Sequence, residues 1–172
     1  IDRNLYERSC DVRWWATDSA VVDCVAKRAP EAARFASQRL GVILDSYTVY
    51  LDLWIADAQG TVVANGRPAV YPGVTGIDVR NSAWFREAMA TPDGAHFAVA
   101  DVSVNEQLNG SMVATYSTAI REGGQTHGRP IGALGIFFDW QAQSQAVVDS
   151  VRLTPDEKVR TRCLLVDSGR RI

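Results

Sequence analysis

Apolar positions in the first 29 residues recur at helical spacing. Leu5, Val12, Trp15, Val22 and Ala26 fall on one stripe with steps of three, four or seven, and the pattern predicts one long amphipathic helix from Asp2 to Ala29. Pro30 interrupts it by pushing Ala29 out of helical geometry, and Pro30-Glu31-Ala32-Ala33 has the composition of a fresh first turn. A second helix is predicted to about Leu44. From Thr48 to Ala56 the period shortens to two, with Tyr50, Asp52 and Trp54 on one face and Leu51, Leu53 and Ile55 on the other. The aliphatic face is expected to pack on the helices. Asp57-Ala58-Gln59-Gly60 is turn chemistry leading into a strand at Thr61–Ala64, which completes a hairpin.

The segment Tyr71–Arg80 contains Pro72, Gly73 and Gly76 and has no period, so it reads as an irregular loop before a short helix at Ala83–Ala90. Three more strands are predicted at His96–Val104, Met112–Arg121 and Ile131–Trp140, joined by turn-rich segments, and a helix at Ala142–Val151 follows. Helices that precede and flank an antiparallel sheet of about five strands make the fold class α+β. The expected organisation is an N-terminal helical region over 1–46, a sheet module over 47–151, and a third segment over 152–172. Leu164 to Ile172 repeats the strand, Asp-turn-Gly, strand logic of Ile55 to Val63. That third segment therefore reads either as the start of a second, similar module or as a C-terminal extension.

Composition narrows the function classes. The 172 residues are 47% hydrophobic, enough for a sizeable core, and the 18 basic and 20 acidic residues are mixed along the chain with a net charge of −2. There is no polybasic stretch to grip phosphates, so no nucleic-acid partner is expected. No apolar run approaches the ~20 residues of a membrane span; either the protein is soluble as a whole, or its anchors lie in segments outside this chain. Cys10 and Cys24, placed on one continuous helix, would stand about 21 Å apart, beyond disulfide reach. With only His96 and His127, no Cys-x-x-Cys and no nucleophile-elbow, His-Glu-x-x-His or phosphate-loop motif, neither a metal, a cofactor nor an enzymatic role is expected. Trp14 and Trp15 read as core packing or, alternatively, as a homodimer seam on the N-terminal helix.

The run from Asn81 to Trp140 carries the most information. Asn81-Ser82-Ala83-Trp84-Phe85-Arg86-Glu87-Ala88, then Ala100-Asp101-Val102, then Ala114 to Ile120, then Gly132 to Trp140 come in an order and at a spacing that resemble the ligand-holding half of a Cache domain. The Cache superfamily comprises PAS-like sensing domains of bacterial chemoreceptors, sensor kinases and membrane-bound diguanylate cyclases. The resemblance covers roughly Asp2 to Asp149, and the echo near the C-terminus favours the double-module form, truncated. It implies a PAS-like sheet and an extracytoplasmic, periplasmic location in an inner-membrane protein involved in signal transduction such as chemotaxis. It also implies a small-metabolite ligand. The family's amino-acid-binding branch has an Arg two residues before the Trp, a Tyr after it, and an Asp two residues after a Gly of the fifth strand. Here Ser82, Phe85 and Phe137 occupy those positions, so an α-amino acid is not the expected ligand.

Candidate binding residues follow from chemistry. Trp84 can form a pocket wall while its indole N–H donates, or can simply staple the short helix to the sheet. Arg80 could clamp a carboxylate, which suits an organic acid, or remain a solvated loop charge. Tyr71 and Tyr116 offer a hydroxyl on an apolar body, Phe85, Phe97 and Phe137 offer apolar walls, and all serve equally as core. Asp101 could accept from a ligand amine or make a local turn bond. The rival reading is a ligand-free structural or dimerisation module.

Overall fold

A computed structural model describes residues 2–149, 151–162 and 164. The predicted single N-terminal helix is two: α1 (Asp2–Trp15) and α2 (Ser19–Lys27). The amides of Thr17 and Asp18 bond back to the carbonyls of Trp14 and Trp15, a tightened last turn. The Asp18 carboxylate then accepts from Ala20 N at 2.9 Å and caps α2. Such a cap contributes about 1 kcal/mol. The apolar stripe hid this break because Val12, Trp15, Val22 and their neighbours stay buried on both sides of it. The continuous-helix premise for the cysteine separation fails with it; Cys10 and Cys24 are both free thiols. α3 (Pro30–Ser46) starts as expected, with Ala29 extended and Pro30 in the first turn.

Strands β1 (Tyr50–Asp57), β2 (Val62–Asn65), β3 (Ala98–Asn105), β4 (Ser111–Arg121) and β5 (Pro130–Asp139) form one antiparallel sheet in the order β2-β1-β5-β4-β3. The fold is α+β with a five-stranded antiparallel sheet, as the periodicities required. A short helix α4 (Ala83–Met89) lies between β2 and β3, and α5 (Trp140–Asp149) follows β5 directly. α6 (Pro155–Arg160) was not anticipated, although Thr154 and Glu157 form a full capping box at its start. Apart from Leu164, the hairpin-like echo at the C-terminus lies outside the described residues.

The two faces of the sheet bury different things. On one face α1–α3 cover Leu53, Ile55, Tyr116, Ile136 and Phe138; on the other, α4 and the loop after β2 cover Trp54, Val113, Ala133 and Phe137. Strict alternation in β1 is broken near its start. Tyr50 opposes Phe138 and Asp52 opposes Phe137, so one extra residue sits between them. That bulge turns Tyr50 to the helix face with Leu53 and Ile55 and leaves Leu51 on the other face with Trp54, correcting the assignment of both residues.

Tyr50 then joins the sheet to α1. Its hydroxyl donates to Asp11 Oδ2 at 2.6 Å, and the Arg8 guanidinium lies 5.1 Å from its ring centroid and 3.7 Å from Asp11. Burial and the adjoining carboxylate push the phenol far above its ordinary pKa. Trp15 is buried edge-on against Tyr47 and Tyr50, while Trp14 is 70% exposed.

Candidate ligand-binding cleft

The irregular segment after β2 is anchored back onto the hairpin. Val79 N donates to Gly60 O at 2.7 Å and Val62 N to Ile77 O at 3.0 Å, so the loop shields the outer edge of β2 and ends beside α4. Its other end hangs on Asp52, which is fully buried and accepts five hydrogen bonds: Leu53 N, Gly66 N and Arg67 N on Oδ1, Trp54 Nε1 and Asn65 Nδ2 on Oδ2. Burial raises the Asp52 pKa, and those donors pull against the rise.

Between this loop, α4 and the sheet lies a cleft of about 390 Å³. That size lies within the range of small-ligand sites. Its floor is aromatic. The rings of Trp54 and Phe137 are 4.0 Å apart, and Trp84 meets them edge-on at 6.4 and 5.8 Å. Trp84 can lie against β5 only because position 135 has no side chain: a Cβ at Gly135 would stand 3.0 Å from Trp84 Cζ3 and 3.1 Å from Cε3. Ser117 Oγ donates to Trp84 O at 2.9 Å and pins α4 to β4. The Trp54 N–H is spent on Asp52; among the described residues the Trp84 N–H has no protein acceptor.

The rim is polar. Asp78 and Ser82 come from the loop, Ser103 and Asn105 from β3, Glu106 and Gln107 from the 3-10 turn after it, and Thr115 from β4. A second bulge in β3, where Ala100 opposes Thr115 but Ser103 opposes Val113, lets both Ala100 and Ser103 reach the cleft. Among the described residues, no Lys, Arg or His lines it.

The residues singled out from sequence divide into three groups. Trp84 and Phe137 line the cleft. Phe85 and Tyr71 are buried in the same apolar layer behind it, where burial raises the Tyr71 pKa, but neither is a wall. Arg80 and Asp101 are exposed: Arg80 is paired with Asp78 at 2.8 Å, the Arg80 backbone amide and then its guanidinium hold that carboxyl below its ordinary pKa, and Asp101 accepts from Val102 N at 2.9 Å. Phe97 and Tyr116 stack on each other at 6.2 Å, with Arg13 beside Phe97, and Tyr116 belongs to the helix-side core. These two are therefore not walls of the cleft. The reason is alternation along β4, where Thr115 faces the cleft and its neighbour Tyr116 must face away. Sequence reasoning passed over Trp54, Thr115, Ser103 and the 105–107 turn; the alternation of Val113, Thr115 and Ser117 was the one usable signal.

No family model and no curated protein matches the chain. Solved structures do. The sensor domain of the V. cholerae histidine kinase DctB superposes with a TM-score of 0.71 at 13% identity, over 84% of this chain and 52% of that one. The sensory domain of the Campylobacter jejuni chemoreceptor Tlp3 gives 0.68 at 18%, over 88% and 59%. The ligand-binding domain of the Pseudomonas aeruginosa amino-acid chemoreceptor PctC, in complex with GABA, gives 0.59 at 21%, over 86% and 58%. The chain has the fold of bacterial Cache-type sensor domains. It spans little more than half the length of these structures, and at this identity the likeness concerns the fold. The neighbours are sensor, sensory and ligand-binding domains.

Proposed function

We propose that the chain is the ligand-sensing part of an extracytoplasmic domain in a bacterial transmembrane receptor, a chemoreceptor, sensor kinase or diguanylate cyclase, and that it binds a small metabolite in the cleft. The observation that carries this reading is the 390 Å³ cleft with an aromatic floor, in a fold shared with sensory domains. Residues 1–46 form its helical part, 47–151 the sensing module, and 152–172 either the start of a second module or a C-terminal extension; membrane anchors belong to segments outside this chain. The ligand is not an α-amino acid, because Ser82, Phe85 and Phe137 stand where the amino-acid-binding branch has its Arg, Tyr and Asp. The signal leaves through α1, whose Asp11 is bonded to Tyr50 on the sheet. A ligand that favours one placement of loop and sheet shifts α1 by that differential affinity.

A thermal-shift screen of metabolites tests the binding step, since a ligand of the folded state raises Tm. Trp84→Ala is expected to abolish the shift given by any hit; a variant that kept full affinity would remove the ligand from this cleft. The second reading, a dimerisation module, is favoured by the exposure of Tyr6 and Trp14 on α1, at 67% and 70%. A ligand-independent dimer lost in Trp14→Ala, with no metabolite shifting Tm, would support it instead.

A further inference from the structure

We infer that a small cavity where α1 meets the β4–β5 turn holds a single monovalent inorganic anion of the chloride class, between Arg13 and Arg121. It shares no wall residue with the cleft and measures about 30 Å³. That exceeds the ~10–15 Å³ one water needs and is far too small for a metabolite. Its walls come from three places: Arg13 and Thr17 at and just past the end of α1, Thr118 and Arg121 on β4, and Gly94 and Gln125 from two loops. The backbones around it approach closely. A Cβ at Gly124, also in the wall, would stand 3.2 Å from Thr17 O, and Gly94 N donates to Thr126 O at 2.8 Å.

Uncompensated charge is the observation that carries the inference. Two guanidinium groups line the cavity, and among the described residues no Asp or Glu does. Arg121 is only 5% exposed, and its donors reach uncharged acceptors: Nη1 donates to Gly128 O at 2.8 Å and Nη2 to Thr91 O and Oγ1. Its Nε is buried with no acceptor at all. Arg13 donates to Ser9 O at 2.8 Å, Ala95 O at 3.2 Å and Cys10 Sγ at 3.5 Å, and lies over the Phe97 ring. Among the described residues neither arginine forms an ion pair. The acidic residues next to them in the chain are engaged elsewhere: Asp18 with Arg39 at 3.2 Å, Asp93 with His96 at 2.6 Å and Glu122 with Arg129 at 3.7 Å. A buried guanidinium is ordinarily matched by a negative charge, because carbonyl dipoles return only part of its lost hydration. Water would fill the cavity without supplying that charge. An anion supplies it to both arginines and ties the end of α1 to the end of β4.

The test replaces sodium gluconate, whose anion is too large for the cavity, by sodium chloride at constant ionic strength, and follows Tm of the whole chain by circular dichroism. Screening is then equal in every sample, and only specific binding distinguishes the two anions. A ligand of the folded state is expected to raise Tm by roughly 3–5 °C for each tenfold rise in chloride above its dissociation constant. Arg13→Gln removes one of the two charges and leaves Arg121 and its bonds in place. It is expected to fold and to need about tenfold more chloride for the same rise. Crystals soaked in sodium bromide are expected to show an anomalous peak within hydrogen-bonding distance of both guanidinium groups.

Equal Tm in chloride and gluconate overturns the inference, as does an Arg13→Gln protein that responds to chloride like the parent, since the salt would then act elsewhere. Bromide-soaked crystals with only water in the cavity overturn it too. Should Arg13→Gln fail to fold, the bromide position in the parent protein decides between anion and water.

Discussion

Asp52→Asn puts the organisation of the cleft to a quantitative test. The substitution keeps shape and removes one acceptor oxygen. If the new amide takes the Oδ2 position, the N–H groups of Trp54 and Asn65, at 3.0 and 2.8 Å, lose their acceptor and face a donor; if it takes Oδ1, three backbone amides do. At least two buried donors are orphaned, at about 1–3 kcal/mol each, or about 2–6 kcal/mol in all. Asparagine also removes the cost of burying a charge, which offsets part, leaving about 1–4 kcal/mol of net destabilisation. For a chain of this length that is roughly a 2–16 °C drop in Tm. Urea unfolding followed by tryptophan fluorescence reads the loss. The pH dependence gives a second check. Because burial raises the Asp52 pKa above that of an ordinary aspartate, the folded state holds this proton more tightly than the unfolded chain. Its contribution to stability therefore grows as pH falls through the window between the raised value and the ordinary one, a slope that Asp52→Asn lacks. A variant within about 0.5 kcal/mol of the parent at neutral pH would refute the reasoning, since the surface-substitution scale would then suffice.

Gly135→Ala should press a methyl group against Trp84, whose Cζ3 and Cε3 stand 3.0 and 3.1 Å from the new Cβ. Overpacking of about 1–3 kcal/mol is expected to exceed the ~0.5–1 kcal/mol that alanine recovers over glycine in a strand. A displaced Trp84 would weaken any cleft ligand; a more stable protein with unchanged binding would contradict this packing. Cys24 has its thiol pushed up to about 11 by burial, so with Cys10 and Cys163 replaced by serine its alkylation rate should keep climbing past pH 9 rather than levelling there. A plateau near pH 9 would mean an exposed thiol.

Much of the fold is legible in the chain itself. The change from a period of 3.6 to one of two near Thr48, the turn chemistry at Asp57–Gly60, and the glycine-punctuated strands after residue 95 placed every strand within about two residues. These signals are local, because hydrogen-bond geometry sets both periods and turn residues act through their own φ and ψ. The loop and the Trp84 helix were also legible as one side of a pocket, since aperiodic Pro- and Gly-bearing segments lie at surfaces.

What escaped is what depends on partners far along the chain. The break at Thr17–Asp18 preserves the apolar stripe, so periodicity could not register it; only a capping carboxylate marks it. The bulge after Tyr50 depends on how β1 pairs with β5, some 85 residues on, and a one-residue slip reverses a face. The same parity sent Tyr116 to the helix side and brought Thr115 to the cleft, while the bulge in β3 brought Ser103 there. Arg80 had the chemistry for a carboxylate, but its neighbour Asp78 took it. The sequence by itself determined the elements, their order and the aromatic character of the floor, because these rest on local backbone preference and residue type. The tertiary structure alone decided which face each strand residue occupies and which charges remain unpaired, because both follow from pairing register and long-range packing.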